Sequence, residues 1–306
     1  MSIKKVSIIG MGSLGLLFGS FLVDKIGNEN VEFVVNEDRF SNYSKKIRLI
    51  NGKRYDFKVV SENEEDNPSD LVIFAVKSTN LEDAIKVVRN KVSDKTSIIS
   101  LLNGISSEEI IGKSFGMDKV LYSIAEGMDP VREGDSLNYT NMGYLRIGID
   151  AQNHGNEERL NNLINFFDKI SFPYKYEKDV IHRLWSKFML NVGVNQVVML
   201  EEGTFSTIQK PGPERELMIL AMKEVISLAK KENVHVTEDD LNFYVQLVDT
   251  LNPNGIPSMR HDGIQKVKSE VEIFSGMVLL LSKKHNLSVP INEEIYMKIK
   301  KIESNY

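Results

Sequence analysis

The first half of the chain alternates apolar runs with helical patterns. Apolar runs at residues 6–9, 31–35, 71–76, 97–102 and 120–124 predict buried strands, and residues 144–149 predict a further strand near a sheet edge. Residues 14–25 and 81–92 have the apolar spacing of helices, and the acidic segment 61–70 with Pro68 predicts a surface loop. Such alternation is typical of an open parallel sheet that binds a nucleotide at the carboxyl ends of its strands.

The second half of the chain has a different pattern, because strand signals are essentially absent from it. Helical periodicity covers residues 181–200, 214–232, 238–250, 258–285 and 292–304, with glycine and proline in the breaks. We therefore place a domain boundary near residue 178. The expected architecture is an α/β Rossmann-type dinucleotide-binding domain over residues 1–178, followed by an all-helical domain over residues 179–306.

Composition excludes several classes of chemistry. The 306 residues include no cysteine, which rules out disulfides, thiolate catalysis and Cys-ligated metal sites, and the five histidines show no ligand spacing, so we expect no metal. The net charge of −5 gives no reason to expect a nucleic-acid partner. Residues 6–23 lack charge and resemble a signal peptide or membrane span, but their glycines favour a strand, turn and helix. We expect a cytoplasmic protein without a membrane partner.

The turn after the first strand carries the first candidate site. It matches the dinucleotide-binding pattern G-x-G-x-x-G, whose glycines permit a tight turn, a close pyrophosphate and close helix packing. The amino terminus of the following helix offers N–H groups to phosphates. Glycines near a strand end also occur by chance, but the following helix and second strand complete a βαβ unit. The candidate cofactor-binding residues here are Gly10, Met11, Gly12, Ser13, Leu14 and Gly15.

The end of the second predicted strand bears on the choice between NAD and NADP. An NAD enzyme places a carboxylate there, whereas an NADP enzyme places an arginine for the 2′-phosphate. Asn36 comes first and accommodates either cofactor, Glu37 is suited to a ribose hydroxyl, and Arg39 to a phosphate. A solvated charged turn is the alternative interpretation. The signal is divided between the two cofactors.

Two polar residues follow later strands. Lys77 and Asn103 both lie just past predicted strand ends, where ligand groups collect in this architecture. The alternatives are a solvated loop lysine for Lys77 and a simple turn for the Asn103-Gly104 dipeptide.

The first helix of the second half carries a polar stripe. Lys187, Asn191 and Asn195 are spaced four residues apart, so they lie on one face of a helix that is otherwise apolar. Buried polar groups need partners, and a partly desolvated lysine has its pKa lowered towards neutrality, which suits a general acid. A solvated helix face is the alternative.

A second constellation begins at Ser258, which follows Pro257 and has the position of a helix N-cap. Asp262, Lys266 and Glu270 then follow at four-residue steps, so a surface ion-pair ladder is a competing interpretation. Gly276 within the same predicted helix indicates the close approach of another helix.

These stretches resemble the ketopantoate reductase family, whose members join a Rossmann domain to a helical domain. The resemblance rests on IIGMGSLG, FAVKS, LLNG, LWSKFMLNVGVNQ, PSMRHD with EVEIFSG, and HNLSVPIN, in family order. It implies that Lys187 protonates a ketone oxygen and that Glu270 contacts substrate and cofactor. It further implies substrate-binding roles for Asn191, Asn195 and Ser258, and positions beside the nicotinamide and substrate for Lys77 and Asn103.

The resemblance implies NADPH-dependent reduction of 2-dehydropantoate to pantoate, in pantothenate biosynthesis, by a homodimer. Many members place arginine directly after the second strand, where this chain has Asn36, so NADP(H) is favoured while NAD(H) stays open. One rival is a related D-2-hydroxy-acid dehydrogenase acting on other branched 2-keto acids. Another is a non-catalytic dinucleotide-binding regulator, against which the joint presence of Lys187, the asparagines and Glu270 argues.

Overall fold

All the strands of the described chain precede the long helical region. A computed structural model describes residues 2–64, 67–150 and 156–306. Its strands are β1 (Val6–Ile9), β2 (Val31–Val35), β3 (Arg48–Ile50), β4 (Lys53–Tyr55), β5 (Val59–Ser61), β6 (Leu71–Phe74), β7 (Ser97–Ser100), β8 (Val120–Glu126), β9 (Val131–Glu133), β10 (Ser136–Asn138), β11 (Tyr144–Gly148) and β12 (Tyr174–Tyr176).

The helices fall into two groups. The first group lies between the strands: α1 (Ser13–Ile26), α2 (Glu37–Tyr43), α3 (Leu81–Val87), α4 (Ser107–Phe115) and α5 (Glu157–Ile170). The second group follows them: α6 (Val180–Leu200), α7 (Ser206–Gln209), α8 (Pro213–Lys231), α9 (Glu238–Thr250), α10 (Ser258–Ile264), α11 (Ser275–His285) and α12 (Pro290–Glu303). In the described part of the chain, no helix combines the length and apolar character needed to cross a membrane.

Contacts divide the chain into two compact units, Met1–Val180 and Ile181–Tyr306. The first unit is built on a sheet with strand order β5-β2-β1-β6-β7-β8-β11-β12. Strands β5 to β8 in that order are parallel, while β11 runs antiparallel to β8 and pairs in parallel with β12. The order reverses between β1 and β6, which is where doubly wound sheets bind their ligands. The predicted Rossmann-type fold followed by helices is confirmed.

Both faces of this sheet are buried, which explains the uninterrupted apolar runs of its strands. Ile8 and Phe33 face one core, which includes Phe18 of α1 and Phe167 of α5. Alternate residues such as Val34, Val72 and Ile98 face the other core, which includes Leu81 and Ile85 of α3 and Ile111 of α4. A strand covered on both sides has no polar face, so its pattern is continuous rather than alternating.

A second, four-stranded sheet with the order β4-β3-β10-β9 was not predicted. Its strands are three residues long, and most are half exposed, so they carry no apolar run. The β3–β4 turn is formed by Asn51 and Gly52, both with positive φ, and β10 pairs in parallel with β3. Arg48, nearly fully buried, pairs with Asp135 between β9 and β10.

Several boundaries differ from the sequence-based prediction. Helix α3 ends at Val87 and is followed by a 3-10 turn, Arg89–Lys91, instead of continuing to residue 92. Ser61 ends strand β5 rather than starting a loop. Strand β11 lies near the sheet edge as predicted, with the short strand β12 pairing outside it. Neither β12 nor α5 was predicted.

Within the described residues, the second unit contains helices but no strands. The predicted single helix over residues 258–285 is wrong. Helix α10 ends at Ile264, Lys266 adopts a left-handed φ of 50°, and a 3-10 turn, Val271–Ile273, precedes α11. Ser269 donates from its N–H and its hydroxyl to Glu303 Oε1, at 2.8 and 2.5 Å, and these tertiary bonds hold the segment off a helical path. The ion-pair ladder along one helix face is therefore also wrong.

Candidate active site

The glycine-rich turn after β1 lies against the end of β6, at the point where the strand order reverses. Gly10 has φ of 109°, and a Cβ there would overlap the Ala75 carbonyl and lie 2.9 Å from Val76 Cγ1. A Cβ on Gly15 would overlap the Gly10 carbonyl oxygen, so α1 approaches the turn closely only because residue 15 is glycine. Helix α1 has Gly12 as N-cap and no acidic side chain in its first turn, which leaves positive N–H groups for an anion. These residues fit a dinucleotide pyrophosphate.

The end of β2 shows how its polar residues are used. The Glu37 carboxylate accepts hydrogen bonds from Ser61 Oγ and, at 3.3 Å, from Asn63 Nδ2, so it is held at the end of β5. Asn36 Oδ1 is buried and has no hydrogen-bond partner among the described residues. Arg39 is exposed in the first turn of α2 and forms no ion pair with described residues. The amide oxygen of Asn36 is a free acceptor for a ribose hydroxyl, and Arg39 is a free cation.

Lys77 and Asn103 follow neighbouring parallel strands. Lys77 is exposed three residues after β6, and Asn103 is half buried three residues after β7, beside Gly104 with φ of 90°. Both therefore lie at the same edge of the sheet as the glycine-rich turn. The turn before Asn103 is shaped by Ser100 Oγ, which accepts from Leu102 N at 3.3 Å and hydrogen-bonds Ser107 Oγ at 2.8 Å.

The polar stripe on α6 is joined to α10 by hydrogen bonds. Asn195 Nδ2 donates to Asn191 Oδ1 at 3.0 Å, and Asn195 Oδ1 accepts from Ser258 Oγ and Met259 N, each at 3.3 Å. Asn191 and Asn195 are only 7% and 6% exposed. Lys187 lies one turn earlier on the same face and is half buried. The structure therefore brings together the asparagines and Ser258 that the sequence singled out separately.

The expected N-cap role of Ser258 is wrong. Pro257 has the N-cap position of α10, Ser258 is the first helical residue, and its hydroxyl hydrogen-bonds Asn195 rather than the helix backbone. The Asn191 amide nitrogen has no hydrogen-bond partner among the described residues, so this donor is available to a ligand oxygen.

Glu270 lies immediately before the 3-10 turn, half buried, next to the Ser269 that Glu303 anchors. Gly276 falls in the first turn of α11 rather than within a long helix. A Cβ on Gly276 would lie 3.1 Å from Glu272 Oε2 and 3.3 Å from the Val271 carbonyl oxygen, and in ordinary contact, at 3.6 Å, with Tyr296 Cε2 of α12, so its tightest neighbours belong to the preceding turn rather than to another helix.

Sequence reasoning missed three supporting hydrogen bonds. Gln196 Oε1 on α6 accepts from Ser275 N at 3.0 Å, and Ser275 Oγ donates to Asn292 Oδ1 at 2.9 Å, so α6, α11 and α12 are tied together behind the stripe. In the first unit, Arg132 Nη1 donates to the Met11 carbonyl at 2.6 Å across 121 positions of sequence. Gln196 and Asn292 could have been singled out because they lie in two of the stretches that resemble the ketopantoate reductase family. Nothing in the sequence indicated Arg132.

Ser186, His182 and Asp240 resemble a hydrolase triad only by composition. Both Ser186 Oγ, at 3.3 Å, and Asp240 Oδ1, at 3.0 Å, contact the same nitrogen, His182 Nε2, whereas a triad uses both ring nitrogens. Ser186 is also 1% exposed. In the ranges that the structure describes, no three histidine, aspartate or glutamate side chains are grouped so as to hold a metal ion.

Comparisons with known proteins agree with this division of the chain. A sequence model of the family described as "Ketopantoate reductase PanE/ApbA" matches residues 6–150, and one described as "Ketopantoate reductase PanE/ApbA C terminal" matches residues 179–303. A 2-dehydropantoate 2-reductase of Aquifex aeolicus (strain VF5) is 28% identical over 97% of this chain and 96% of its own length.

Two solved structures share the fold over 98% of this chain and 99% of their own, each at 19% identity. One is a dimeric ketopantoate reductase from Staphylococcus aureus, with a TM-score of 0.82. The other is a D-mandelate dehydrogenase in a ternary complex with NADH and anilino(oxo)acetate, with a TM-score of 0.86. At this identity the likeness concerns the fold alone.

Proposed function

Because this chain belongs to the ketopantoate reductase family of oxidoreductases, we propose that it reduces 2-dehydropantoate to pantoate with NADPH, a step of pantothenate biosynthesis. The observation that carries the proposal is the hydrogen-bonded group Asn191, Asn195 and Ser258, one helical turn from Lys187. This group offers neutral polar atoms for a small oxygen-rich ligand on the same helix face as the Lys187 cation, which suits a 2-keto acid.

Lys187 is the proposed general acid. Reduction of a ketone adds a hydride to the carbonyl carbon and a proton to its oxygen, and a bound dihydronicotinamide supplies the hydride. The Lys187 ammonium stabilises the negative charge that develops on oxygen and gives up a proton to it. The amine that remains is reprotonated from solvent before the next turnover.

The remaining residues of the second unit orient the substrate. The free Asn191 amide nitrogen is suited to donate to a carboxylate or carbonyl oxygen, while Ser258 is suited to a hydroxyl. Asn195 holds both groups in place through three hydrogen bonds, so these side chains are already ordered before substrate binds. We assign Glu270 a catalytic-site role in contacting substrate and cofactor, as the family implies.

We assign NADP(H) as the preferred cofactor. Glu37, which would favour a ribose 2′-hydroxyl, is already engaged by Ser61 and Asn63, whereas Arg39 is exposed and forms no ion pair with described residues. Arg39 is thus suited to a 2′-phosphate, and Asn36 Oδ1 to a neighbouring ribose hydroxyl. The glycine-rich turn, Lys77 and Asn103 complete the proposed cofactor-binding set.

A second candidate is a related D-2-hydroxy-acid dehydrogenase that uses NAD(H). It is supported by the fold shared with D-mandelate dehydrogenase in complex with NADH, and by Asn36, which lacks the positive charge that many family members have there. The two candidates share the chemistry assigned to Lys187 and differ in cofactor and in the side chain of the keto acid.

The deciding experiment measures oxidation of NADPH and of NADH against a panel of 2-keto acids. The panel contains 2-dehydropantoate, 2-ketoisovalerate, 3-methyl-2-oxopentanoate and phenylglyoxylate. The highest kcat/KM is expected for NADPH with 2-dehydropantoate. A maximum with NADH and another keto acid would favour the dehydrogenase, and tight NADPH binding without any turnover would favour a non-catalytic regulator.

A further inference from the structure

A hairpin arm of the first unit reaches the dinucleotide turn. This arm, residues 127–143, leaves the sheet after β8, forms β9 and β10, and returns to begin β11. Its base is closed by Asp129, whose carboxylate accepts from Thr140 N at 3.0 Å, from Asn141 N at 2.7 Å and from the Thr140 hydroxyl. These bonds lower the pKa of Asp129, so the carboxylate that closes the hairpin arm where it leaves the sheet stays ionised.

The far end of the arm is fixed to the small sheet. Strand β10 pairs in parallel with β3, and Leu137 is fully buried in the same core as α1. Asp135 at the tip pairs with the buried Arg48 of β3. The arm is thus held at both ends, and the position of Arg132 between them is well defined.

Arg132 connects the arm to the turn. Its Nη1 donates to the Met11 carbonyl at 2.6 Å, and its Nε donates to the Gly134 carbonyl at 3.0 Å. Two acceptors on different segments fix the plane of the guanidinium. Within the described residues, no carboxylate pairs with Arg132, so its positive charge is not cancelled locally.

We propose that Arg132 is a positioning residue for dinucleotide binding, which acts by holding the Met11–Gly12 peptide in the orientation that presents the Gly12 N–H to the pyrophosphate. A trans peptide is planar, so the N–H of Gly12 points away from the Met11 carbonyl, and fixing one fixes the other. Glycines on both sides of Met11 leave this peptide conformationally soft, which makes an external tether effective.

Two physical effects follow from the tether. It orders the turn before the dinucleotide binds, so less conformational entropy is lost on binding. It also polarises the peptide, because a cation on the carbonyl strengthens the N–H as a donor to an anion. Both effects act on cofactor affinity and leave the hydride and proton transfer steps unchanged. The inference rests on the proposed use of a dinucleotide.

Arg159 provides a matched control within the same unit. Its Nη1 donates to the Thr96 carbonyl at 2.9 Å and its Nη2 to the Asp94 carbonyl at 2.6 Å, so it also bridges two main-chain acceptors. Those acceptors lie just before β7, at the opposite end of the strands from the glycine-rich turn. Arg159→Gln removes a comparable structural link without touching the turn.

The test compares the full-length wild type with Arg132→Gln, Arg132→Lys and Arg159→Gln, measuring the NADPH dissociation constant by calorimetry, steady-state kinetics and thermal stability. Loss of a charge-assisted hydrogen bond predicts a rise of about tenfold in Kd and KM for NADPH in Arg132→Gln, with kcat at saturation within about twofold. The NADPH Kd of Arg132→Lys is expected to lie between those of wild type and Arg132→Gln. A lysine ammonium can donate to one carbonyl, but it lacks the planar set of donors with which arginine contacts two. Arg159→Gln leaves the NADPH Kd unchanged even if its melting temperature falls.

An NADPH Kd within about twofold of wild type in both Arg132 variants would overturn the inference, as would an equal loss of affinity in Arg159→Gln. If Arg132→Gln does not fold, Arg132→Lys decides by the same criterion. A wild type that binds no dinucleotide contradicts the proposed function itself, whereas a wild type that binds NADPH alongside an unaffected Arg132→Gln contradicts the role of Arg132 alone.

Discussion

Asn195 is the residue through which the polar groups of the second unit are joined. Its carbonyl oxygen accepts from two groups of α10, and its amide nitrogen donates to Asn191 on its own helix. A side chain whose amide oxygen and amide nitrogen both form hydrogen bonds is fixed in one orientation, and it restrains the side chains to which it is bonded.

Asn195→Ala is therefore expected to disorder Asn191 and Ser258 together. The KM for the keto acid should rise by about tenfold to a hundredfold, since the lost bonds hold the two side chains proposed to bind substrate, while the Kd for NADPH changes little. Steady-state kinetics and calorimetry measure the two effects. Asn242→Ala, at an exposed position of α9, is the matched control. An unchanged KM in Asn195→Ala would contradict the assigned role.

Arg39 is expected to set the cofactor preference. Arg39→Ala should lower kcat/KM with NADPH by about tenfold or more, because a charge-assisted contact to the 2′-phosphate is lost. The value with NADH should stay nearly constant, since NADH has a hydroxyl there. Kinetics with the two cofactors in the same preparation provide the internal control. An equal fall in kcat/KM with both cofactors, or no fall with either, would show that Arg39 does not bind the 2′-phosphate.

The sequence left this choice between Glu37 and Arg39 open for a physical reason. The groups that engage Glu37 come from Ser61 and Asn63 at and after β5, and a contact across that distance has no signature in the local pattern. The α6 stripe was predictable because a helix fixes the relative positions of residues four apart. Its connection to Ser258 depends on tertiary packing, so a helix cap was predicted there instead.

At the scale of elements, predictability followed burial. Strands β1, β2, β6 and β7 are buried on both faces, and their apolar runs were sufficient to locate them. The short strands of the small sheet are half exposed and gave no such run, although the Asn51-Gly52 dipeptide is a recognisable hairpin signal. The break after α10 was missed because Ser269 is held by Glu303, 34 residues away.

Helix α9 is fixed at its amino terminus by a capping box. Thr237 N donates to Asp240 Oδ2 at 2.8 Å, Asp240 N donates to Thr237 Oγ1 at 3.4 Å, and Asp240 Oδ1 contacts His182 Nε2 of α6 at 3.0 Å. Burial opposes ionisation of Asp240, but the Thr237 N–H and hydroxyl and His182 outweigh it and lower its pKa.

Asp240→Asn is expected to lower the melting temperature at pH 7 by about 2–4 °C, since removing the negative charge weakens the hydrogen bonds of this side chain to Thr237 and His182 by about 1 kcal/mol. Because the pKa of Asp240 is lower in the folded state than in the unfolded state, its ionisation stabilises the fold at pH values above the unfolded pKa of about 3.9. This contribution is lost as the pH falls through the folded pKa. The difference from wild type should therefore shrink between pH 5 and pH 3, as circular dichroism would show. Asp239→Asn, exposed in the same turn, is the control. A difference that persists undiminished at pH 3 would contradict the linkage.

At the scale of the whole molecule, the net charge of −5 does not describe how anionic ligands would be bound. The positive groups are local: the amino terminus of α1, Arg132 at the turn and Arg39 after β2 in the first unit, and Lys187 in the second. The alternation of elements was enough to separate the two halves of the chain, because βα patterning and helical periodicity differ over long segments.

From the family resemblance, the chain is expected to assemble as a homodimer. Light scattering coupled to size exclusion should give twice the 34.7 kDa chain mass at micromolar concentration. A single-chain mass that persists as the concentration is raised would contradict it.

The role of Lys187 is the central claim, and the turnover of Lys187→Ala with NADPH and saturating 2-dehydropantoate tests it most directly. Loss of the general acid should lower kcat by about a hundredfold to ten-thousandfold. NADPH should still bind with a Kd near that of wild type, and Lys223→Ala, at an exposed position of α8, should keep full activity. A Lys187→Ala protein that binds NADPH and turns over at close to the wild-type rate would contradict the account.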